Sequence, residues 1–315
     1  MTTQNQVKLK LLYDCNEDCI FCTEKVNERD RIKYMGFVEV KALIDEYSKE
    51  ENVFLVLTGG EPTIRNDIIK IIRYARKKKI KNIAMQTNGV RFADKIFTHK
   101  LVQAGLTFVS VTLAGHNAAI HDAQTNLKGS FEKTMRGIKN LVNSGIRVMA
   151  YVVVSNSNFR EIDKLAEMLV KEFPKLEQIQ LTMPCVSGGA LANFYEVVPQ
   201  FSLSYKYVIK AMDIIIKSGI ELTVDNLPLC FIEGYEKYSS EIKTYLKERE
   251  GALRTFHAEM SNNALQRIAN YTNLRRKKKV KGIHCNLCVY DYYCDGVWEE
   301  YAKRYTLNEL NPIIS

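Results

Sequence analysis

The sequence lacks the segments that would place a protein in or across a membrane. No apolar run approaches the roughly 18 uninterrupted residues that a membrane span needs. The first ten residues, Met1 to Lys10, lack the hydrophobic stretch of a signal peptide. Low-complexity linkers are absent too, and so are internal repeats beyond an alternation of strand-like and helical stretches. We therefore expect a cytoplasmic protein with no membrane partner.

What is present suffices for a large apolar core. The chain has 315 residues, of which 46% are hydrophobic, and this length fits one large domain with an appendage. Eight cysteines in a reducing compartment are more consistent with metal ligands or redox groups than with disulfides. Six of them fall into two short clusters, as metal sites require.

The first cluster consists of Cys15, Cys19 and Cys22, with the spacing C-x3-C-x2-C. Three thiolates are one fewer than a closed iron–sulfur or zinc site requires. A four-iron cluster held by them would keep one iron open to another ligand. Zinc with a distant fourth ligand is the alternative, although zinc sites usually come as two C-x2-C-type pairs.

Three further motifs follow this cluster. A strand-like run, Val53–Leu57, leads into Thr58-Gly59-Gly60-Glu61-Pro62, and Ala84-Met85-Gln86-Thr87-Asn88-Gly89 and Ser110-Val111-Thr112-Leu113 follow on the next two strands. Each motif by itself has an ordinary explanation as a turn or a strand end. In this order, and together with the cysteine spacing, they resemble the radical S-adenosylmethionine (SAM) superfamily.

The resemblance implies a reaction and a set of cofactor residues. In the family, SAM binds the open iron of a [4Fe–4S] cluster, and its reductive cleavage yields a 5′-deoxyadenosyl radical that abstracts hydrogen from substrate. The two glycines and the glutamate would bind the methionyl amine of SAM. The aromatic residue would contact the adenine, and the valine would form an apolar wall beside the adenine. The asparagine and the serine would bind the carboxylate or the ribose. The residues so assigned are Phe21, Gly59, Gly60, Glu61, Asn88, Ser110 and Val153.

Strands alternate with amphipathic helical stretches along the first two thirds of the chain. This order indicates parallel strands joined by crossover helices, and hence an α/β sheet curled into a full or partial barrel. The resemblance implies a partial (β/α)6 barrel, whose strand-end motifs would converge on one mouth. The β-rich runs are Val53–Leu57, Ile83–Met85, Phe108–Leu113, Val148–Val154, Ile179–Thr182 and Glu221–Val224.

We expect two parts, a barrel over residues 1–224 and a small cysteine-rich C-terminal extension over residues 225–315. Within the extension, the charged segment Ile232–Arg276 is expected to be largely helical. Only Met1 to Gln6 precede the first strand, so we expect no leader-peptide recognition domain.

The extension contains the second cysteine cluster. Cys285, Cys288 and Cys294 have the spacing C-x2-C-x5-C, and Cys230 precedes them. The arrangement resembles the auxiliary-cluster extension of the SPASM or twitch kind and implies one auxiliary [4Fe–4S] cluster. Zinc remains open here, since thiolate sites suit both metals.

Two other features carry weaker chemical signals. Cys185, directly after a strand, is placed where a hydrogen donor to a substrate radical could lie, although a lone cysteine is more often a small buried apolar residue. His116, His121 and Asp122 follow another strand and could take part in proton chemistry, although such histidines are more often structural.

Two basic runs, Arg76–Lys81 and Arg275–Lys281, contribute much of the net charge of +9. Basic stripes track phosphates, so a tRNA-modifying radical SAM enzyme is an alternative, but no recognisable RNA module accompanies them. The first run is placed to complement a helix dipole. We interpret the second as a loop that docks an acidic reductant or a peptide.

The leading prediction is a radical SAM oxidoreductase with one auxiliary cluster, acting on a peptide or on a small metabolite. It would carry out oxidation, crosslinking or epimerisation in peptide, natural-product or cofactor maturation, with electrons from a flavodoxin or ferredoxin. A non-catalytic electron-transfer protein is the remaining alternative, and it leaves Gly59-Gly60-Glu61 without a purpose.

Overall fold

The computed structural model describes residues 3–24, 35–261 and 264–314, and within them the dominant feature is one nine-stranded sheet. Its strands are β1 (Gln4–Lys10), β2 (Val53–Thr58), β3 (Asn82–Thr87), β4 (Phe108–Leu113), β5 (Arg147–Val153), β6 (Gln178–Thr182), β7 (Glu221–Asp225), β8 (Leu253–Ser261) and β9 (Ala264–Ala269). Strands β1 to β7 are parallel and adjacent in chain order. Strand β8 pairs parallel with the other edge of β1, and β9 pairs antiparallel with β8.

Helices connect the parallel strands and cover one face of the sheet. They are α1 (Phe37–Tyr47), α2 (Ile68–Lys77), α3 (Lys95–Ala104), α4 (Ala118–Thr125), α5 (Ser130–Asn143), α6 (Ile162–Glu172), α7 (Gly188–Ala192), α8 (Phe194–Val197) and α9 (Phe201–Ser218), followed in the extension by α10 (Ser240–Arg249), α11 (Tyr271–Arg276) and α12 (Glu299–Ala302). A separate two-stranded pair, β10 (Lys279–Val280) with β11 (Val297–Trp298), lies near the C-terminus.

Alternation along the strands separates an apolar face from a polar one. In β1, Val7 and Leu9 are fully buried in the core that the helices cover, whereas Gln6, Lys8 and Lys10 point to the other face. Side chains of β1, β3, β4, β5, β6 and β8 line one shared cavity. The sheet is therefore curled, with its polar face on the concave side.

The predicted α/β fold is confirmed, and the strand predicted at Phe108–Leu113 has the same bounds in the structure. The sheet, however, is larger than the six-stranded barrel that the resemblance implied. The extra strands arise because β7 continues the parallel series and because β8 and β9 extend the sheet beyond β1.

The prediction that Ile232–Arg276 is largely helical was wrong. After α10 this segment forms the hairpin β8–β9, which pairs with β1. Phe256, Ala258 and Met260 alternate with polar residues at the period of a strand, and the unpaired edge of β1 provides a ladder of backbone hydrogen bonds. Pairing with that edge thus outweighed the charged composition of the segment.

Four of the six cations in the second basic run form ion pairs, Lys281 with Asp291 among them, and the interpretation of the run as a docking loop stays a prediction. Arg275 pairs with Asp225, Arg276 with Glu248 and Asp295, and Lys279 with Glu241. Lys277 and Lys278 remain exposed. These ion pairs lie within residues 225–315, with Asp225 at the end of β7, and the run does not present a continuous basic stripe.

Among the residues that the structure describes, no helix has the length and apolar composition to cross a membrane.

The ion pair between Lys279 and Glu241 gives a test of how the extension is held. Its side chains are 2% and 7% exposed, so Lys279→Met would leave a buried carboxylate without its partner and should lower the free energy of unfolding by about 3–5 kcal/mol. The measurement is chemical or thermal unfolding of the reconstituted protein. The double variant Lys279→Met/Glu241→Leu should recover most of the loss.

Lys303→Met is the matched control, because Lys303 pairs with Glu299 and Glu300 on the exposed surface and such pairs contribute about 0–1 kcal/mol. Equal effects of Lys279→Met and Lys303→Met would contradict a stabilising role for the buried pair.

Candidate active site

The first three cysteines lie on the loop after β1, at the mouth of the concave face. Cys15, Cys19 and Cys22 line a cavity with an empty volume of about 1380 Å³. The same cavity is lined by every residue that the resemblance assigned to SAM: Phe21, Gly59, Gly60, Glu61, Asn88, Ser110 and Val153. Parallel strands bring their carboxyl ends to one edge of a sheet, which is why motifs separated in sequence meet there.

The two glycines hold the cysteine loop against the end of β2. The N–H of Gly60 donates to the carbonyl of Leu12 at 2.7 Å, and the N–H of Glu61 donates to the carbonyl of Asp14 at 2.9 Å. A Cβ on Gly59 would lie 2.2 Å from the Leu12 oxygen, and one on Gly60 would lie 2.0 Å from the Asp14 oxygen. Gly59 also has φ +139, a conformation that side chains disfavour. Only glycine allows this approach.

The loop is also held by two helices. At the end of α4, the carbonyls of Gln124 and Thr125 accept from the N–H groups of Ile20 and Asp18, at 2.9 and 3.1 Å. At the start of α7, the N–H of Gly189 donates to the Cys22 carbonyl at 2.7 Å. The cysteine loop is thus fixed by backbone contacts from β2, α4 and α7, which preorganise its thiols.

The Glu61 carboxylate is 1% exposed and accepts four hydrogen bonds from the protein. Oε1 accepts from the hydroxyl and the N–H of Thr63 at 2.6 and 3.0 Å and from the Thr87 hydroxyl at 2.8 Å. Oε2 accepts from the N–H of Asn88 at 2.8 Å. Burial raises the pKa of Glu61, and these donors act in the opposite direction. The carboxylate ties the glycine turn to the end of β3, and its contact with the SAM amine stays a prediction.

Asn88 is placed beside the first cysteine. Its Nδ2 donates to Asn16 Oδ1 at 2.8 Å and lies 3.9 Å from Cys15 Sγ. Ser110 on β4 and Val153 on β5 are 5% and 6% exposed and face the same cavity. The strands therefore bring these candidates together, while their individual contacts with SAM stay predictions.

The three thiols interact electrostatically. Burial raises the pKa of Cys15 to about 12, and Cys22 adds to this, although the N–H of Glu17 donates to Cys15 Sγ at 3.4 Å. Burial likewise raises the pKa of Cys19, with contributions from Cys15 and Cys22. Metal binding supplies the positive charge that thiolates held close together need. A cluster of three thiols in one cavity thus fits an iron–sulfur group with one iron left open.

The four cysteines of the extension line a second, smaller cavity: Cys230, Cys285, Cys288 and Cys294. Burial raises the pKa of Cys230 to about 12 and that of Cys294 to about 11. The N–H of Gly296 donates to Cys294 Sγ at 3.4 Å. Within the described ranges, no three His, Cys, Asp or Glu side chains are arranged to hold a single metal ion.

Cys185 lines the same cavity as the three cysteines of the loop. Asn226 Nδ2 lies 3.4 Å from its sulfur and Arg275 Nη2 lies 3.9 Å from it. Burial raises the pKa of this thiol. Cys185 therefore lies at the cavity wall, and its role as hydrogen donor stays a prediction.

The histidines after β4 do not line the cavity. His121 is buried, and its Nδ1 accepts from the N–H of Ala114 at 3.2 Å. Burial lowers the pKa of His121 to about 4. Asp122 accepts from the N–H groups of Gly129 and Phe131. Proton chemistry at His121 and Asp122 is not supported, because the hydrogen bonds of both side chains fix the chain around α4.

Sequence reasoning missed a set of polar residues that line the inner part of the cavity. They are Lys8, Lys10, Tyr151, Thr182, Asp225, His257 and Arg275. One signal was available for β1, where Gln6, Lys8 and Lys10 alternate with apolar residues in an otherwise buried strand. Arg275 was noted only as the first residue of the second basic run, and no local pattern places it in this cavity, because its position depends on how the chain folds after β7.

The chain matches the family model described as the Radical SAM superfamily over residues 9–169. It is 30% identical over 158 residues to the Fe-coproporphyrin III synthase of Methanosarcina barkeri, a match that covers 50% of this chain and 39% of that protein. It is 31% identical over 163 residues to the mycofactocin maturase MftC of Mycolicibacterium smegmatis, covering 51% and 41%. The matches thus span about two fifths of the length of these relatives.

Solved structures resemble this chain over nearly its whole length. Native anSMEcpe with bound AdoMet and Cp18Cys peptide has a TM-score of 0.66 at 16% identity, covering 99% of this chain and 93% of that chain. Streptococcus suis SuiB bound to the precursor peptide SuiA has a TM-score of 0.65 at 13% identity, covering 97% and 74%. At these identities the likeness shows the fold alone.

The glycine contact gives a test of the site. Gly60→Ala should displace the cysteine loop, because the new Cβ would meet the Asp14 carbonyl and the backbone has no room to move aside. We expect a several-fold loss of iron bound after anaerobic reconstitution, measured against wild type, with the far-ultraviolet circular dichroism retained.

Gly36→Ala is the matched control. A Cβ on Gly36 would meet only the end of the flexible Glu39 side chain, and the residue has φ −63. Full iron retention in Gly60→Ala would show that the close approach is not needed for binding.

Proposed function

This chain belongs to the radical SAM superfamily of enzymes, and on that premise we propose that it cleaves SAM reductively and abstracts hydrogen from an organic substrate. The observation that carries the proposal is the convergence of the three cysteines and the seven predicted SAM residues on one cavity. An electron carrier would need the thiols but not the glycine turn, the strand-end asparagine or a cavity of this size. Convergence therefore favours catalysis over electron transfer alone.

Cys15, Cys19 and Cys22 are the proposed ligands of the SAM-binding [4Fe–4S] cluster. When bound, this group and SAM supply a 5′-deoxyadenosyl radical, with the electron coming from an external donor such as a flavodoxin or ferredoxin. The protein contributes position, because its backbone contacts hold the loop and because Gly59 and Gly60 let the end of β2 approach that loop closely. Ser110 and Val153 offer a hydroxyl and an apolar surface on neighbouring strands.

Residues 225–315 are the proposed auxiliary-cluster extension, although β8 and β9 from this segment join the sheet of the barrel. Cys230, Cys285, Cys288 and Cys294 share one pocket and supply four thiolates, as a closed [4Fe–4S] cluster requires. N–H groups that donate to such sulfurs, as Gly296 does to Cys294, are one of the factors that set a cluster's reduction potential.

We favour a peptide as substrate, for oxidation, crosslinking or epimerisation. Support comes from the relative named as a mycofactocin maturase and from two structural neighbours that hold peptides, anSMEcpe and SuiB. The relatives named as haem and Fe-coproporphyrin synthases keep a small metabolite as the second class. The structure favours neither a phosphate-tracking stripe nor an RNA substrate, since Arg275, Arg276 and Lys279 pair with carboxylates.

A variant with Cys15, Cys19 and Cys22 all changed to alanine tests both clusters at once. The wild-type protein should release 5′-deoxyadenosine from SAM on reduction, and the variant should release none, because the open iron is lost. Iron, sulfide and zinc content after anaerobic reconstitution is the second measurement. About four irons per chain should remain in the variant if the extension holds a cluster.

Zinc alone, or no metal, in the triple variant would refute the auxiliary cluster while leaving SAM cleavage untouched. Absence of 5′-deoxyadenosine from the iron-loaded wild-type protein would refute the proposed reaction itself.

Cys185 is proposed as the hydrogen donor to the substrate radical because its thiol lies on the cavity wall. With the substrate in deuterated water, the wild-type product should take up one solvent deuterium, and Cys185→Ala should stop this uptake and abolish the epimerised product. Product formation by Cys185→Ala, with no deuterium in the wild-type product, would exclude the donor role. Cys185→Ser keeps the size and polarity and controls for packing.

A further inference from the structure

The inner part of the concave face contains an unusual cation on β1. Lys8 and Lys10 are two residues apart and therefore point to the same side of the strand, about 7 Å from each other along it. Lys10 is next to the cysteine loop, whereas Lys8 lies deeper. Lys8 lines both the large cavity of Cys15, Cys19 and Cys22 and a neighbouring cavity with an empty volume of about 1040 Å³, which is separate from the four-cysteine cavity of the extension. It therefore lies where the large cavity and this neighbouring cavity meet.

The other cations at this junction have partners. Lys10 Nζ lies 2.8 Å from Glu24 Oε2 and also pairs with Glu259. Arg275 Nη2 donates to Asn226 Oδ1 at 2.9 Å and lies 3.4 Å from Asp225 Oδ2. These charges are therefore compensated within the protein.

Lys8 differs from both. Among the described residues, no carboxylate lies within ion-pair distance of its ammonium group. Burial lowers the pKa of Lys8, and the neighbouring guanidinium of Arg275 adds to this effect. The carboxylate of Glu24 acts in the opposite direction, but it pairs with Lys10 rather than with Lys8. A cation that faces a cavity without an ion-pair partner of its own is an arrangement that occurs where a ligand supplies the missing charge.

We propose that Lys8 binds a carboxylate group of the substrate at the junction of the two cavities. This inference rests on the proposed function and names the kind of substrate: one that carries a negative charge close to the reacting carbon. One positive charge without an ion-pair partner in the described part of the chain matches a monoanion such as a carboxylate better than a phosphate dianion, which would need further cations. Lys8 and Cys185 line the same cavity as the three cysteines of the loop, so a substrate anchored at Lys8 would share that cavity with the thiol and the cysteine loop.

Stability gives a first test that needs no substrate. Lys8→Met removes the uncompensated charge but keeps an unbranched side chain, so the melting temperature of the reconstituted protein should rise or stay unchanged. A lysine kept for structure would give a fall. Lys8→Arg keeps the charge and should not stabilise the protein. A clear fall in melting temperature for Lys8→Met would overturn the proposal.

Anion binding gives the second test, with acetate as the probe. At constant ionic strength set with sodium chloride, acetate should raise the melting temperature of the wild-type protein saturably, by about 2 °C or more once its concentration exceeds the dissociation constant several-fold. Acetamide, its neutral counterpart, should have no such effect. The acetate effect should be lost in Lys8→Met and retained in Lys8→Arg.

Lys77→Met, on the exposed surface at the end of α2, is the control for non-specific charge effects and should respond to acetate as the wild type does. An equal acetate effect in wild type and Lys8→Met would overturn the proposal. A larger, Lys8-dependent effect of phosphate than of acetate would overturn the choice of a carboxylate.

SAM has a carboxylate of its own, and the titration is therefore repeated with saturating SAM. Persistence of the acetate effect supports a substrate site, whereas its loss, together with weaker SAM binding by Lys8→Met, would assign Lys8 to the cofactor and overturn the proposal. Release of 5′-deoxyadenosine by the wild-type protein is measured separately. Failure of that reaction would refute the proposed function, and the acetate result would still decide the role of Lys8.

Discussion

The close approach of the glycine turn to the cysteine loop is the constraint on which the site depends. Two backbone hydrogen bonds join Gly60 and Glu61 to the residues just before Cys15, and a side chain at Gly59 or Gly60 would occupy the space of the Leu12 or Asp14 carbonyl. The Glu61 carboxylate then fixes the turn to the end of β3. The glycine turn therefore links the position of the cysteine loop to the ends of β2 and β3.

A second consequence concerns charge. The concave face collects polar and ionised side chains inside a curled sheet, where each costs stability unless it has a partner. Most partners come from distant segments: Glu259 of β8 compensates Lys10, and Asp225 compensates Arg275. The extension is therefore more than a holder of cysteines. Its strands and its basic run complete the wall and the electrostatics of the cavity.

The motifs could be predicted because each depends on residues that lie close together in the sequence. The C-x3-C-x2-C spacing puts three thiols on one short loop, and the glycine pair and Asn88 each follow a strand, so parallel pairing alone brings them to one edge. Strand bounds such as Phe108–Leu113 could be read from β-branched and apolar runs. The hairpin β8–β9 could not, because its strand state depends on the free edge of β1, more than 240 residues earlier in the chain.

The sequence by itself thus determined the family, the α/β class and the residues that surround the proposed cluster and SAM, since each rests on spacing within a short segment or on the order of segments. Only the tertiary structure decided what faces the inner cavity. It showed that Glu61 is bound by four protein donors, that Arg275 is turned inward, and that Lys8 has no described counter-charge. These are properties of contacts between residues far apart in the chain, and no local pattern encodes them.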